Sequence, residues 1–119
     1  MFLLVAKDPL QPKRCAELLG ALAAPERLKI VRFLAEGAHN VTEIANMLAI
    51  EAVNVSHHLN VLRQAKLILG KKSGRFVWYS LRSGVLDEVI EAGIPKGALN
   101  LGCCQLVMPN TGETSEPAC

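Results

Sequence analysis

No stretch of this 119-residue sequence is apolar for long enough to cross a bilayer, which takes about 20 such residues in a row. The N-terminal apolar run, Phe2 to Ala6, is also shorter than the apolar region of a secretory signal. Both absences lead us to expect a cytoplasmic protein. Aromatics are few, with one Trp, one Tyr and three Phe. The core must therefore come from aliphatic side chains, and a half-apolar composition is enough to fill one domain. Histidine is confined to His39, His57 and His58. The four cysteines are Cys15, Cys103, Cys104 and Cys119. A cytoplasmic chain with an ample core needs no disulfides, so reduced thiols are expected. No internal repeat or second domain is visible.

Acid is nearly missing between Glu51 and Arg82. Arg63, Lys66, Lys71, Lys72, Arg75 and Arg82 stand there against Glu51 alone, a local charge of +5. The rest of the chain, with seven basic and ten acidic residues, carries −3, within a net charge of +2. Such asymmetry marks a face for a polyanion rather than an ordinary solvated surface.

Within that basic stretch, Val55, Leu59 and Leu62 recur at i, i+4 and i+7, the apolar stripe of a helix. Asn54, Ser56, His57, Asn60 and Arg63 fall off the stripe. Short hydrogen-bonding side chains and an Arg are the types that reach base edges and phosphates in a major groove. After Leu67 the period changes to two, and Ser73-Gly74 is placed to turn a hairpin with Lys71, Lys72 and Arg75 at its tip. The pattern predicts a helix-turn-helix with a basic wing.

Elsewhere, Gln11 to Ala23 reads as a helix with Cys15, Leu18, Leu19 and Leu22 on one face. Pro25 suits the first turn of a second helix, Glu26 to Glu36, which Gly37 ends. Asn40 and Glu43 form an N-x-x-E capping box that opens a helix from Val41 to Leu48. The turn from Ala49 to Ala52 lacks a good cap, because Glu51 stands where Ser or Thr would serve. Ser83 is placed to cap a last helix, Gly84 to Ala92, with Val85, Leu86, Val89 and Ile90 as its stripe. The two terminal stripes, Leu18, Leu19 and Leu22 with Val85, Leu86, Val89 and Ile90, are expected to pack across a two-fold axis and pair the recognition helices of a homodimer. Residues 11–93 then form the winged helix-turn-helix and dimerisation domain. Residues 94–109 form an extended segment with the vicinal cysteines, and 110–119 lack the apolar residues to order themselves. The fold class expected is mainly α with a small β-hairpin.

The segments APERLKIVRFLAEG, VTEIANML, VSHHLNVLRQAKLI and KKSGRFVWYSL, in that order, closely resemble the ArsR family of winged-helix repressors. The resemblance runs from about Leu18 to Ile90. It implies a homodimer that binds double-stranded operator DNA and releases it when an inducer binds or a thiol is oxidised. It also implies that Ser56 and His57 face DNA and that Lys71, Lys72 and Arg75 belong to the wing. Three departures stand out. The C-V-C motif of many metalloid sensors in the family reads Asn40-Val41-Thr42 here, the histidines that its zinc sensors carry after the wing are missing, and the family's Gln near the start of the recognition helix is Ala52.

What remains for sensing is Cys103-Cys104, with Cys15 as a third sulfur if the C-terminal segment folds back on the first helix. Polarisable thiolates suit a soft metal or metalloid ion such as As(III), and the same thiols could respond by oxidation. Cys15 is otherwise a small buried hydrophobe. Neighbours in a strand point to opposite faces, so the vicinal pair meets one ion only where the backbone is irregular, which Gly102 permits. His57 and His58 diverge by about 100° around a helix. His58 is expected to pack and His57 to face outward, while Phe76, Trp78 and Tyr79 serve wing and core packing. Two rival classes, a thiol enzyme and a protein-interaction module, lack respectively a base spaced beside a cysteine and any need for a basic recognition face.

Overall fold

The computed structural model describes residues 11–91 and 94–108. Four helices come first, α1 Pro12–Leu22, α2 Pro25–Leu34, α3 Val41–Leu48 and α4 Ala52–Gln64. A two-residue strand, β1 His39–Asn40, precedes α3. After α4 come β2 Ile68–Ser73, β3 Phe76–Leu81, β4 Leu86–Glu91, β5 Ile94–Asn100 and β6 Gln105–Met108.

Local chemistry explains the helix ends. α1 and α2 each carry Pro in the first turn, where a missing N–H costs nothing and φ is already helical. At α3 the Asn40 side chain accepts from the Glu43 N–H at 2.9 Å, and the Asn40 N–H donates back to Glu43 Oε1 at 3.3 Å. This is the capping box expected from N-x-x-E. α3 ends on Ala49 in the left-handed region, φ 57°, and the Ile50 N–H donates to the Ala45 carbonyl. α4 ends in the same way, on Lys66 at φ 65°, with the Leu67 N–H donating to the Leu62 carbonyl. Both are Schellman closures with a side-chain-bearing residue where glycine is usual. As expected, α4 has no side-chain cap at Glu51.

The stripe of α4 is buried, with Val55, Leu59 and Leu62 at most 2% exposed. Each such side chain contributes roughly 1.5–3 kcal/mol relative to full exposure. They join Leu18 and Leu22 of α1, Ile30, Val31 and Leu34 of α2, Ile44 of α3, and Leu67 and Ile68 in one cluster. Leu18 and Leu22, expected at a dimer seam, thus have their surface covered within the subunit, while Leu19 is 41% exposed.

The wing is an antiparallel sheet of order β1-β3-β2. Ser73 pairs with Phe76, so the two-residue loop is Gly74-Arg75, one position later than the sequence suggests. Gly74 has φ 65°, a value that a glycine adopts without strain at the first position of a tight hairpin. Nothing in the sequence pattern announces the short β1. It pairs His39 with Tyr79 and Asn40 with Trp78, tying the wing to the start of α3.

The C-terminal part departs most from expectation. Of the helix expected over Gly84–Ala92, none of the described residues, 84–91, is helical; Leu86–Glu91 is a strand in a second antiparallel sheet of order β4-β5-β6. A single short stripe fits a helix and a half-buried strand equally. Segments under about 12 residues gain little helical stability of their own. Val89 and Ile90 suit strands, and antiparallel partners are available, Leu86 opposite Leu99 and Val89 opposite Lys96. Val85, Leu99 and Leu101 enter the main core and anchor this sheet to the helices. Leu86 is 36% exposed. Within the segment 94–109, expected to be extended, lie the strands β5 and β6. Phe2–Ala6 and the tail 110–119 lie outside the described residues.

Candidate nucleic-acid interface and thiol cluster

α3, the turn at Ala49 and α4 form the helix-turn-helix. Asn54, Ser56, His57, Asn60 and Arg63 are all exposed on α4. An open concavity of about 430 Å³ lies between α4 and the wing, lined by Val53, Ser56, His57, Leu59, Asn60, Arg63 and Tyr79. Val53, Ser56, His57 and Asn60 recur at i, i+3, i+4 and i+7, one face of the helix. Asn54 is exposed but is not part of that lining. Sequence reasoning misses Val53 and Tyr79 as site residues, because their apolar and aromatic character reads as packing. Arg63 donates from Nη2 to Asn60 Oδ1 at 2.8 Å, so these two are held together in advance.

The adjacent histidines separate as expected. His57 is exposed, whereas His58 is half-buried and its Nδ1 accepts from Arg27 Nη1 at 3.2 Å. Arg27 Nε also donates to the Ala21 carbonyl at 2.6 Å. His58 therefore ties α4 to α2 and to the end of α1.

On the wing, Lys71, Lys72 and Arg75 are exposed. Lys71 pairs with Trp78 and Lys72 with Val77, so the two lysines leave opposite faces of the ribbon. The Arg75 guanidinium lies 5.8 Å from the Phe76 ring centre, within reach of a cation–π contact. Gly70 lies opposite Tyr79, and a Cβ there would meet Tyr79 Cε1 at 2.9 Å. The absence of a side chain at Gly70 is what lets the Tyr79 ring lie across β2 beside the concavity.

The second constellation joins the two ends of the domain. β5 and β6 pair Asn100 with Gln105, leaving Leu101 to Cys104 as the loop. Gly102 has φ 87°, and its N–H donates to Asn100 Oδ1 at 2.9 Å. This irregular backbone is the condition under which adjacent cysteines reach one point, and Cys104 Sγ lies 4.0 Å from Cys103 Sγ. The loop returns to α1, where Cys15 is 7% exposed. Contrary to the expectation of reduced thiols, Cys15 and Cys103 are joined in a disulfide, 88 positions apart in sequence, while Cys104 is free. The physical reason is the C-terminal sheet, which delivers the loop to α1 with a Cα–Cα separation of 6.0 Å, within the range a disulfide spans. The three sulfurs lie within 4.8 Å of one another. A small opening of about 90 Å³, lined by Gln11, Arg14, Cys15, Leu101, Gly102 and Cys103, lies beside them. Arg14 donates from Nη2 to the Ala65 carbonyl at the end of α4.

Residues 24–68 match the family model described as bacterial regulatory protein, arsR family. The "Transcriptional repressor SdpR" of Bacillus subtilis is 39% identical over 70 residues, 59% of this chain and 78% of that protein. The chain belongs to the arsR family.

Another relative of this arsR-family chain, the "Cadmium resistance transcriptional regulatory protein CadC homolog" of Staphylococcus aureus, is 31% identical, over 67% of each chain. Curated relatives are matched over 54% to 90% of their own length. Among solved structures, the homodimeric winged helix-turn-helix DNA-binding domain of a possible ArsR-family regulator from Mycobacterium bovis aligns with a TM-score of 0.59 and 25% identity. That alignment covers 68% of this chain and 75% of the other. The family is one of DNA-binding transcriptional regulators, not enzymes. No helix among the described residues is long and apolar enough to cross a membrane.

Proposed function

We propose that this chain is a homodimeric repressor that binds double-stranded operator DNA through α4 and the wing, and that the state of Cys15, Cys103 and Cys104 sets its operator affinity. The observation that carries the sensing half is the meeting of three sulfurs within 4.8 Å, one from α1 and two from the β5–β6 loop. The cluster has two chemical states. As a disulfide, Cys15 and Cys103 have given up two electrons and two protons, which a peroxide would take to form water. Opened, the three thiols offer polarisable donors that fit a soft ion such as As(III) or Cd(II). The two states exclude each other, since a disulfide sulfur is no thiolate. The cadmium-resistance name of one relative supports a thiophilic ion. The dimer is supported by the homodimeric neighbour and by exposed Leu19 on α1.

The regulatory mechanism is linkage. A ligand or bond that favours the DNA-free geometry lowers operator affinity by that preference, typically about 1–3 kcal/mol. The experiment is titration of a protein–DNA complex with As(III), Cd(II) and peroxide, for wild type and the Cys103→Ser/Cys104→Ser double variant. Release of wild type but not of the variant is expected. Ion affinity should rise with pH, because ligation releases thiol protons. If the variant is released like wild type, or wild type ignores all three agents, the cluster is structural.

A further inference from the structure

Val53 stands in the first turn of α4 and is 70% exposed, against 48% for Val107 and 43% for Leu28. An isolated apolar residue on a surface needs no explanation by itself. Val53 is not isolated. It lies on the helix face of Ser56, His57 and Asn60, and with them it lines the concavity between α4 and the wing. At 70% exposed, its two methyl groups are left largely uncovered by the subunit, beside the hydrogen-bonding side chains of Ser56, His57 and Asn60. The first turn of a recognition helix is also the part that approaches base edges in a major groove.

The apolar group that projects furthest into the major groove of B-DNA is the C5-methyl of a pyrimidine, which thymine always carries and cytosine carries when methylated. We propose that Val53 is a specificity-determining residue that reads a pyrimidine C5-methyl in each operator half-site by apolar contact. The inference rests on the DNA-binding reading given above and adds to it a base preference. Ser56, His57 and Asn60 supply the hydrogen bonds around that contact. Val53 makes the affinity depend on a methyl that no hydrogen-bonding side chain senses.

The test uses the full chain and a half-site selected from random duplexes. Each thymine of the site is replaced in turn by deoxyuridine, which pairs identically but lacks the methyl, and each cytosine by 5-methylcytosine. Dissociation constants are measured for wild type and Val53→Ala, with circular dichroism confirming that the exposed substitution leaves the fold intact. One thymine per half-site should be found at which loss of the methyl weakens wild type roughly fourfold, the effect of one buried methyl. Val53→Ala should be weaker on the thymine site and indifferent to deoxyuridine there. If the responsive position is instead a cytosine that gains affinity on methylation, the methyl contact stands and its source is a methylated site. No methyl-sensitive position, or equal sensitivity in Val53→Ala, overturns the proposal. Failure to select any sequence overturns the DNA-binding reading, and this inference with it.

Discussion

Arg14 and Ala65 are 51 positions apart in sequence, yet the Arg14 guanidinium donates to the Ala65 carbonyl at 2.9 Å. Arg14 is the neighbour of Cys15, and Ala65 is the C-cap of α4, just before the left-handed Lys66. A displacement of α1 by a change at Cys15 therefore has a direct hydrogen-bonded route to α4. Arg14→Ala should leave DNA binding by the reduced protein in place. It should shrink the difference in operator affinity between reduced and oxidised forms by about 0.5–2 kcal/mol. Operator titrations of both forms check this, and an unchanged difference removes Arg14 from the route.

The wing should act through charge rather than sequence. Lys71 and Lys72 leave opposite faces of the β2–β3 ribbon, and Arg75 occupies its loop. Replacing both lysines with Ala should weaken binding to specific and unrelated duplexes alike. The slope of log K against log salt should flatten by about 0.9 for each phosphate that is no longer neutralised. A slope identical to that of wild type would show that these lysines do not meet DNA.

The two adjacent histidines should give opposite phenotypes. His57→Ala removes an exposed side chain from the concavity between α4 and the wing. It should reduce operator binding by about 1–3 kcal/mol without changing unfolding. His58→Ala leaves Arg27 Nη1 without its imidazole acceptor, and should lower stability by about 1–2 kcal/mol. Denaturant unfolding and operator titration on both variants separate the roles, and a reversed pattern would mean that the helix is rotated.

Ala49 holds φ 57° in the turn of the helix-turn-helix. A side chain in the left-handed region costs about 1–2 kcal/mol, part of which glycine gives back through its freer unfolded state. Ala49→Gly should therefore raise stability by about 0.5–1 kcal/mol with operator affinity unchanged. A lower denaturation midpoint would contradict this.

The helix-turn-helix, the capping box and the basic wing are legible from the residues alone, because each depends on interactions among residues near in the chain. Asn40 and Glu43 cap α3 within one turn, the spacing of Val55, Leu59 and Leu62 selects the inner face of α4, and the Lys71–Arg75 charges sit on a hairpin whose register is set by a two-residue loop. Even here polarity is too coarse a guide to the outer face. It favours Asn54, although helical geometry puts Val53 beside Ser56 and His57. The C-terminal half of the story needs the folded chain. Leu86–Glu91 is compatible with helix or strand until β5 presents a partner edge, and local propensity is too weak to choose over so short a segment. Cys15 and Cys103, 88 positions apart, become neighbours because that sheet, anchored through Val85, Leu99 and Leu101, returns its last loop to α1. Long-range pairing of this kind leaves no periodicity in the sequence.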